Sequence, residues 1–306
     1  MEDYNKIIES LGVRFIKANN IKILQPLTIN NFYDVENTVL LLNKGEIKCG
    51  EEVKVKNKDV LFIPGGKLVS VTYGSGAAVT LSNDDFINNK EKYLQPYDAT
   101  EAENDVGENY SYITFEAKVF DSVNFFASLD IPPFVMENSD EIASLVKNIN
   151  YECSSDLPGK ERIVKIQTER LVVELIRYIL SHRLFVEQLA TNSTYFKDPR
   201  LIDIFAYIKE NLGGDLSNKI LASVANVSED YVGQYFKMLT GINPQDYIEY
   251  QRMEMAVNLL RTSKKSIREI GKEVGYKDTA YFCRRFKMMF GIPAGKMRRR
   301  ESLMNV

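Results

Sequence analysis

Histidine, cysteine and long apolar runs are scarce in this chain, and each scarcity removes a class of function. One histidine, His182, stands among 306 residues. Metal-dependent catalysis needs several imidazole and carboxylate ligands converging on one point, so no metal site is expected. The three cysteines, Cys49, Cys153 and Cys283, are far apart, odd in number and form no Cys-x-x-Cys. That pattern fits a reducing cytoplasm rather than a disulfide framework. No apolar run approaches the roughly 20 residues that span a bilayer. The start, Met1-Glu2-Asp3-Tyr4, lacks the basic and apolar regions of a signal peptide, so a cytoplasmic location with no membrane partner is expected. Gly-rich phosphate loops, nucleophile elbows and paired catalytic motifs are also missing. The expectation is a non-enzyme without cofactors.

What is present is a charge asymmetry and a repeat. The net charge of −3 divides unevenly: residues 198–306 hold 18 Lys+Arg against 13 Asp+Glu, net +5, and the rest is net −8. A basic C-terminal part beside an acidic remainder suggests that only the former meets a polyanion. Within that basic part, Tyr235-Phe236-Lys237-Met238-Leu239-Thr240-Gly241-Ile242 recurs fifty residues on as Arg285-Phe286-Lys287-Met288-Met289-Phe290-Gly291-Ile292, five of eight positions being identical. Tyr231 and Tyr281, and Ile220 and Ile270, keep the same offset. One supersecondary unit is built twice.

Residues 30–120 alternate in short apolar runs, among them Val39–Leu42, Val53–Val55, Val60–Ile63 and Leu68–Val71. Turn chemistry at Pro64-Gly65-Gly66 and Gly74-Ser75-Gly76 separates them. Such spacing predicts a barrel or a double-sheet jelly roll, with residues 91–108 as a polar loop. From Lys160 to Ala190 the pattern becomes that of one long helix. Val164, Thr168, Leu171, Leu175, Tyr178, His182, Phe185 and Leu189 follow steps of four and three, and Val172, Ile176, Ile179 and Val186 lie beside them. Two apolar rows can serve two surfaces, so Leu171, Leu175, Tyr178 and Phe185 are expected at a homodimer seam; the bland alternative is a single core-facing stripe. His182 is expected on that seam or at the surface. Residues 191–198 read as a linker, with Asp198 capping a helix that Pro199 begins. Helices follow over about 199–211, 217–225, 229–240, 245–261, 267–274, 279–289 and 294–300.

Each repeat reads as a scaffold helix, a tight turn and a second helix, the layout of a helix-turn-helix. In the first, Leu216, Ile220, Leu221 and Ala222 form the scaffold face, Asn226 takes the turn and Ser228 the cap. Val232, Tyr235 and Phe236 face inward, leaving Glu229, Asp230, Gly233, Gln234 and Lys237 outward. In the second, Ile267, Ile270, Gly271 and Val274 form the scaffold face, Gly275 makes the turn and Asp278 caps. Phe282 and Phe286 anchor the helix, leaving Thr279, Ala280, Cys283, Arg284 and Lys287 outward. The base-reading candidates are Asp230, Gln234, Thr279, Cys283 and, first among them, Arg284, whose guanidinium can pair bidentately with guanine. Ser228, Lys237, Lys287, Arg298 and Arg299 are the phosphate candidates, which position without reading sequence. The helix over 245–261 is expected to hold both reading helices on one face, about one turn of DNA apart.

These residues resemble the AraC/XylS family of bacterial transcription regulators over roughly 198–298. The connecting-helix signature stands as Arg252-Met253, Ala256 and Leu259-Leu260. That of the second unit stands as Ser266-Ile267-Arg268-Glu269-Ile270-Gly271, Val274-Gly275-Tyr276-Lys277-Asp278 and Tyr281-Phe282-Cys283-Arg284-Arg285-Phe286-Lys287. Gly271 replaces the family's usual Ala, and Gly291 to Arg298 departs from its closing Gly-x-Ser-Pro-x-x-Tyr-Arg. Gly45-Glu46 and Asp59 to Pro64 carry a weaker likeness to the cupin-like sensor domain of many members. The resemblance implies an α+β two-domain chain. A cupin-like β-barrel with its dimerisation helix would occupy 1–190, a linker 191–198, and an all-α domain with two helix-turn-helix units 199–306. It implies binding of double-stranded DNA by a homodimer under the control of a small-molecule or protein effector, with RNA polymerase as a further partner. The contrasting reading is a cupin-type enzyme with an accessory DNA-binding domain, against which the absence of barrel histidines counts. A protein-binding solenoid is disfavoured because two repeats are too few for a stable array.

Overall fold

The structure, a computed structural model, describes residues 4–5, 8–9, 11–98, 107–119, 123–129, 131–185, 198–240 and 243–298. The chain divides into two compact units. One spans 12–117 and 130–185, and the other spans 186–301 together with 1–11 and 118–129.

The strands are β1 (Leu11–Ile23), β2 (Leu27–Tyr33), β3 (Asn37–Lys44), β4 (Ile47–Cys49), β5 (Val53–Val55), β6 (Val60–Ile63), β7 (Leu68–Tyr73), β8 (Val79–Leu81), β9 (Leu94–Pro96), β10 (Asn109–Val119), β11 (Val123–Asn124) and β12 (Phe134–Met136). They form two sheets of order β12-β6-β3-β10-β1-β9, with β11 on β10, and β5-β4-β7-β2-β8. Of the two expectations, a barrel or a double-sheet arrangement, the strands form two open sheets, and the cupin-like closed barrel is corrected to that. Strands of three residues (β4, β5, β8, β9 and β12) are too short to carry hydrogen bonding around a continuous wall. Period-two alternation fixes which side chains share a face. Leu40 and Leu42 stand opposite Tyr112 and Tyr110 in register, and all four join Ile29, Ile47, Val71 and Tyr73 in one buried cluster. The turn at Pro64-Gly65-Gly66 is confirmed. A Cβ on Gly65 would lie 2.2 Å from the Val35 carbonyl oxygen, so no larger residue fits.

Elements outside the sequence expectation include β1, β11 and β12, the helices α1 (Asn83–Asn89) and α3 (Asp140–Ser154), and strand β9 inside the expected loop; β9 pairs with Ile21–Ile23 of β1. The short helix α2 (Phe125–Ser128) follows β11. The long helix α4 runs Lys160–Ser181 and ends at His182; Val186, Leu189 and Ala190 lie outside the described residues.

Helix α3 explains what happens to the expected seam. It packs against α4, and both apolar rows of α4 are covered by the chain itself. Leu171 and Leu175 are 0% exposed, and Val164, Thr168, Val172, Ile176 and Ile179 are buried with them. Leu171 and Leu175 are therefore core residues, which corrects their placement at a dimer seam: the bland single stripe is what the fold uses. Tyr178 is half-buried, and its hydroxyl donates to the Glu137 carbonyl at 3.4 Å. Phe185 meets Phe134 edge-on at 5.2 Å between ring centroids. His182 is exposed and stacks on the Tyr178 ring, so it is a surface residue.

The helical part comprises α5 (Pro199–Glu210), α6 (Asn218–Ala225), α7 (Glu229–Thr240), α8 (Pro244–Thr262), α9 (Ile267–Glu273), α10 (Thr279–Phe290) and α11 (Ala294–Met297). Asp198 caps α5 as expected, accepting from the Arg200 amide. Its carboxyl is held below the usual carboxylate range by the Arg200 side chain. The linker at 191–197 lies outside the described residues. No described helix is long and apolar enough to cross a membrane.

Candidate nucleic-acid interface

Two helix pairs, α6–α7 and α9–α10, stand where the repeat predicts them. In the first, the chain turns at Asn226, left-handed at φ 53°, whose amide donates to the Ala222 and Ser223 carbonyls. Leu221, Ala222 and Ala225 of α6 pack with Val232, Tyr235 and Phe236 of α7 in one core that also holds Phe205 and Tyr247. The rings of Phe205, Phe236 and Tyr247 lie 5.1 to 5.7 Å apart. Ser228 is exposed, and its carbonyl accepts from Tyr231 and Val232 to open α7. With the inner face fixed, the opposite face presents Glu229, Asp230, Gln234 and Lys237, all exposed, with Gly233 half-buried between them.

The second pair repeats the scheme with different chemistry at its ends. Ser266 and Glu269 form a reciprocal capping box on α9, and the Ser266 amide holds the Glu269 carboxyl below its usual range. Gly275 turns at φ +91°, where a Cβ would sit 2.8 Å from the Leu212 carbonyl oxygen and from the Arg252 guanidinium. Asp278 caps α10, accepting from the Ala280 amide at 2.8 Å. Phe282, Phe286 and Phe290 are fully buried and run ring against ring at 5.8 and 4.4 Å. Ala280, Arg284 and Lys287 are exposed, while Thr279 and Cys283 are half-buried at the edge of that face. Arg284 lies over the Tyr281 ring at 6.0 Å, which limits its rotamers without consuming its hydrogen-bond donors. A Cβ on Gly271 would meet the Phe282 ring at 3.3 Å, so the family's Ala fits only after a small shift.

Other expected residues are placed differently. Arg298 is half-buried and donates to the Lys265 carbonyl, so it is engaged within the domain rather than presented beside Lys287. Arg299 and Arg300 lie outside the described residues.

The connecting helix carries two contacts that sequence reasoning missed. Arg252 donates through Nε to the Leu212 carbonyl and through Nη2 to the Gly214 carbonyl, each at 2.9 Å, and lies over the Tyr276 ring. Glu249 receives the Arg285 guanidinium through two nitrogens and the Tyr276 hydroxyl at 3.4 Å. Through these, α8 fixes the end of α5 and the turn of the second pair to one rod. The only local signal was Gly213-Gly214: a Cβ on Gly213 would lie 2.5 Å from the Glu273 carbonyl oxygen.

Two helix-turn-helix pairs fastened to a shared helix, each with a buried aromatic face and an exposed polar face, match known proteins. The profile described as a helix-turn-helix domain matches residues 221–300. The Tn10 TetD protein of Escherichia coli is 30% identical over 114 residues, which cover 37% of this chain and 83% of that protein. The chain belongs to the AraC/XylS family. The MmsAB operon regulatory protein of Pseudomonas aeruginosa is 32% identical over 97 residues, and the match spans only 32% of each protein. Among solved structures, ToxT from Vibrio cholerae aligns over 97% of this chain and 100% of its own, at 11% identity and a TM-score of 0.54. That likeness speaks for the AraC/XylS chain's overall fold, sheet-rich N-terminal region included, and for nothing finer.

Proposed function

We propose that this AraC/XylS-family protein is a sequence-specific transcription regulator that grips double-stranded DNA through α7 and α10. The observation that carries the reading is the division of both helices into a buried aromatic face and an exposed face. The exposed faces hold Asp230 and Gln234 on one helix and Arg284 on the other, with Thr279 and Cys283 at the margin, as base readers. Lys237, Lys287 and Ser228 hold phosphates. The test is selection of duplexes from a random pool by the intact protein. Enrichment of two short motifs about one helical turn apart is expected; a pool no different from input would refute the reading.

The sheet-rich unit serves as the cupin-like sensor. Support comes from the core between its sheets, where Tyr73, Tyr110 and Tyr112 are buried among aliphatic side chains. The Tyr110 hydroxyl is fully buried without a hydrogen-bond partner. A small molecule offering one polar group there would satisfy it. Dimerisation moves from Leu171 and Leu175 to the apolar residues that the α3–α4 hairpin leaves outside: Tyr151, Leu157, Ile163 and Ile166, each at least 41% exposed.

A further inference from the structure

The sheet-rich unit exposes large apolar side chains at several places, but the helical part does so in only one pattern. Among its described residues from Pro199 to Arg298, the exposed large hydrophobics are Tyr231 and Met238 on α7, and Tyr281 and Met288 on α10. They are the same two helix positions in both repeats, fifty residues apart. Tyr231 and Tyr281 are 44% and 46% exposed, and Met238 and Met288 are both 64% exposed. A scattered exposed methionine needs no explanation. Two at one repeat position do, because Val232, Phe236, Phe282, Phe286 and Phe290 of the same helices are buried.

Position on the helix says where they point. At 100° per residue, Met238 lies about 40° around α7 from Gln234, and Met288 about 40° around α10 from Arg284. Each methionine is therefore next to the base-reading row and on the side away from Val232 or Phe282. Each tyrosine lies seven residues earlier on the same stripe. The tyrosines have ring contacts of their own: Tyr231 with Tyr235, and Tyr281 with Tyr276. The methionines are the more exposed of the pair in each repeat, at 64%.

We propose that Met238 and Met288 each contact the C5-methyl group of a thymine in the major groove. The proposal rests on the reading of α7 and α10 as DNA-binding helices. The groove wall beside those helices is charged and hydrated except at thymine, whose methyl is the one apolar feature that a base pair presents there. A flexible, polarisable thioether suits such a contact. The repeat then makes a symmetric demand: both half-sites carry a thymine at the same place relative to the base met by Gln234 or by Arg284. The stripe would discriminate thymine from cytosine by its methyl, a task that no cationic or amide side chain of the reading row performs.

The experiment uses the intact protein and the duplex that it enriches from a random pool. Each thymine is replaced singly by deoxyuridine, which removes the methyl and preserves base pairing. One replacement in each half-site is expected to weaken binding about fourfold, the worth of one buried methyl-sized group. Met288→Ser should abolish the penalty in the half-site read by α10 and leave the other intact, and Met238→Ser should do the reverse. Both methionines are solvent-exposed, so the variants should keep the wild-type circular dichroism. An enriched duplex indifferent to every replacement would overturn the proposal and leave the DNA-binding reading standing. So would penalties that persist unchanged in both variants. Failure to enrich any duplex would overturn the DNA-binding reading, and this proposal with it.

Discussion

Phe236 and Phe286 occupy the same place in the repeat, and both are fully buried. Their recurrence therefore concerns packing and says nothing of base contacts. Phe286→Ala should remove ~3–5 kcal/mol from a domain whose whole stability is ~5–15 kcal/mol, and binding should fall because the domain unfolds. A variant that keeps its native circular dichroism and melting temperature yet cannot bind DNA would place Phe286 in the interface instead. Lys287 is the opposite case, exposed on the outer face. Lys287→Ala should weaken specific and random DNA alike and lower the slope of log affinity against log salt by about one. Inward and outward positions were legible from sequence because a helix of known phase sorts them automatically. Arg298 was not, because its partner, the Lys265 carbonyl, lies 33 residues away in the chain.

Turns and caps govern whether each reading helix is held at the right angle. Gly275 combines a left-handed backbone with a neighbouring carbonyl 2.8 Å from any added Cβ. Gly275→Ala should cost ~1–3 kcal/mol in backbone strain alone, and more if Arg252 is pushed off Leu212. Asp278→Ala should cost ~1 kcal/mol by uncapping α10, fraying the first turn that carries Thr279. Thermal melts of the two variants check the order: Gly275→Ala must be the less stable. These elements could be read from sequence because capping and turn signals are local. The sheets could be read only in part. Runs such as Val60–Ile63 announced strands, but β8 pairs parallel with β2, and β9 pairs with β1 some seventy residues away. No local pattern records such pairings.

At the scale of the whole molecule, helix α4 shows why a wide apolar stripe is ambiguous. The stripe required a cover, and α3 supplies it from within the chain, so Leu175 is core. Leu175→Glu should therefore unfold the sheet-rich unit, because a carboxylate buried there has no partner. Ile166→Glu, on the outer side of the same helix, should leave the fold intact and shift a dimer toward monomer in sedimentation. If Leu175→Glu were folded and monomeric while Ile166→Glu remained dimeric, the dimer face would return to the inner row. The central claim, that two tandem helices read two adjacent stretches of DNA, has a more direct test. The intact protein and its Arg284→Ala variant are titrated against the selected duplex and against duplexes with either half-site scrambled. Arg284→Ala should lose ~1–3 kcal/mol on the intact duplex and should respond less than wild type to scrambling of the half read by α10. It should remain fully sensitive to scrambling of the other half. Equal loss on the selected duplex and on both scrambled ones would contradict the account.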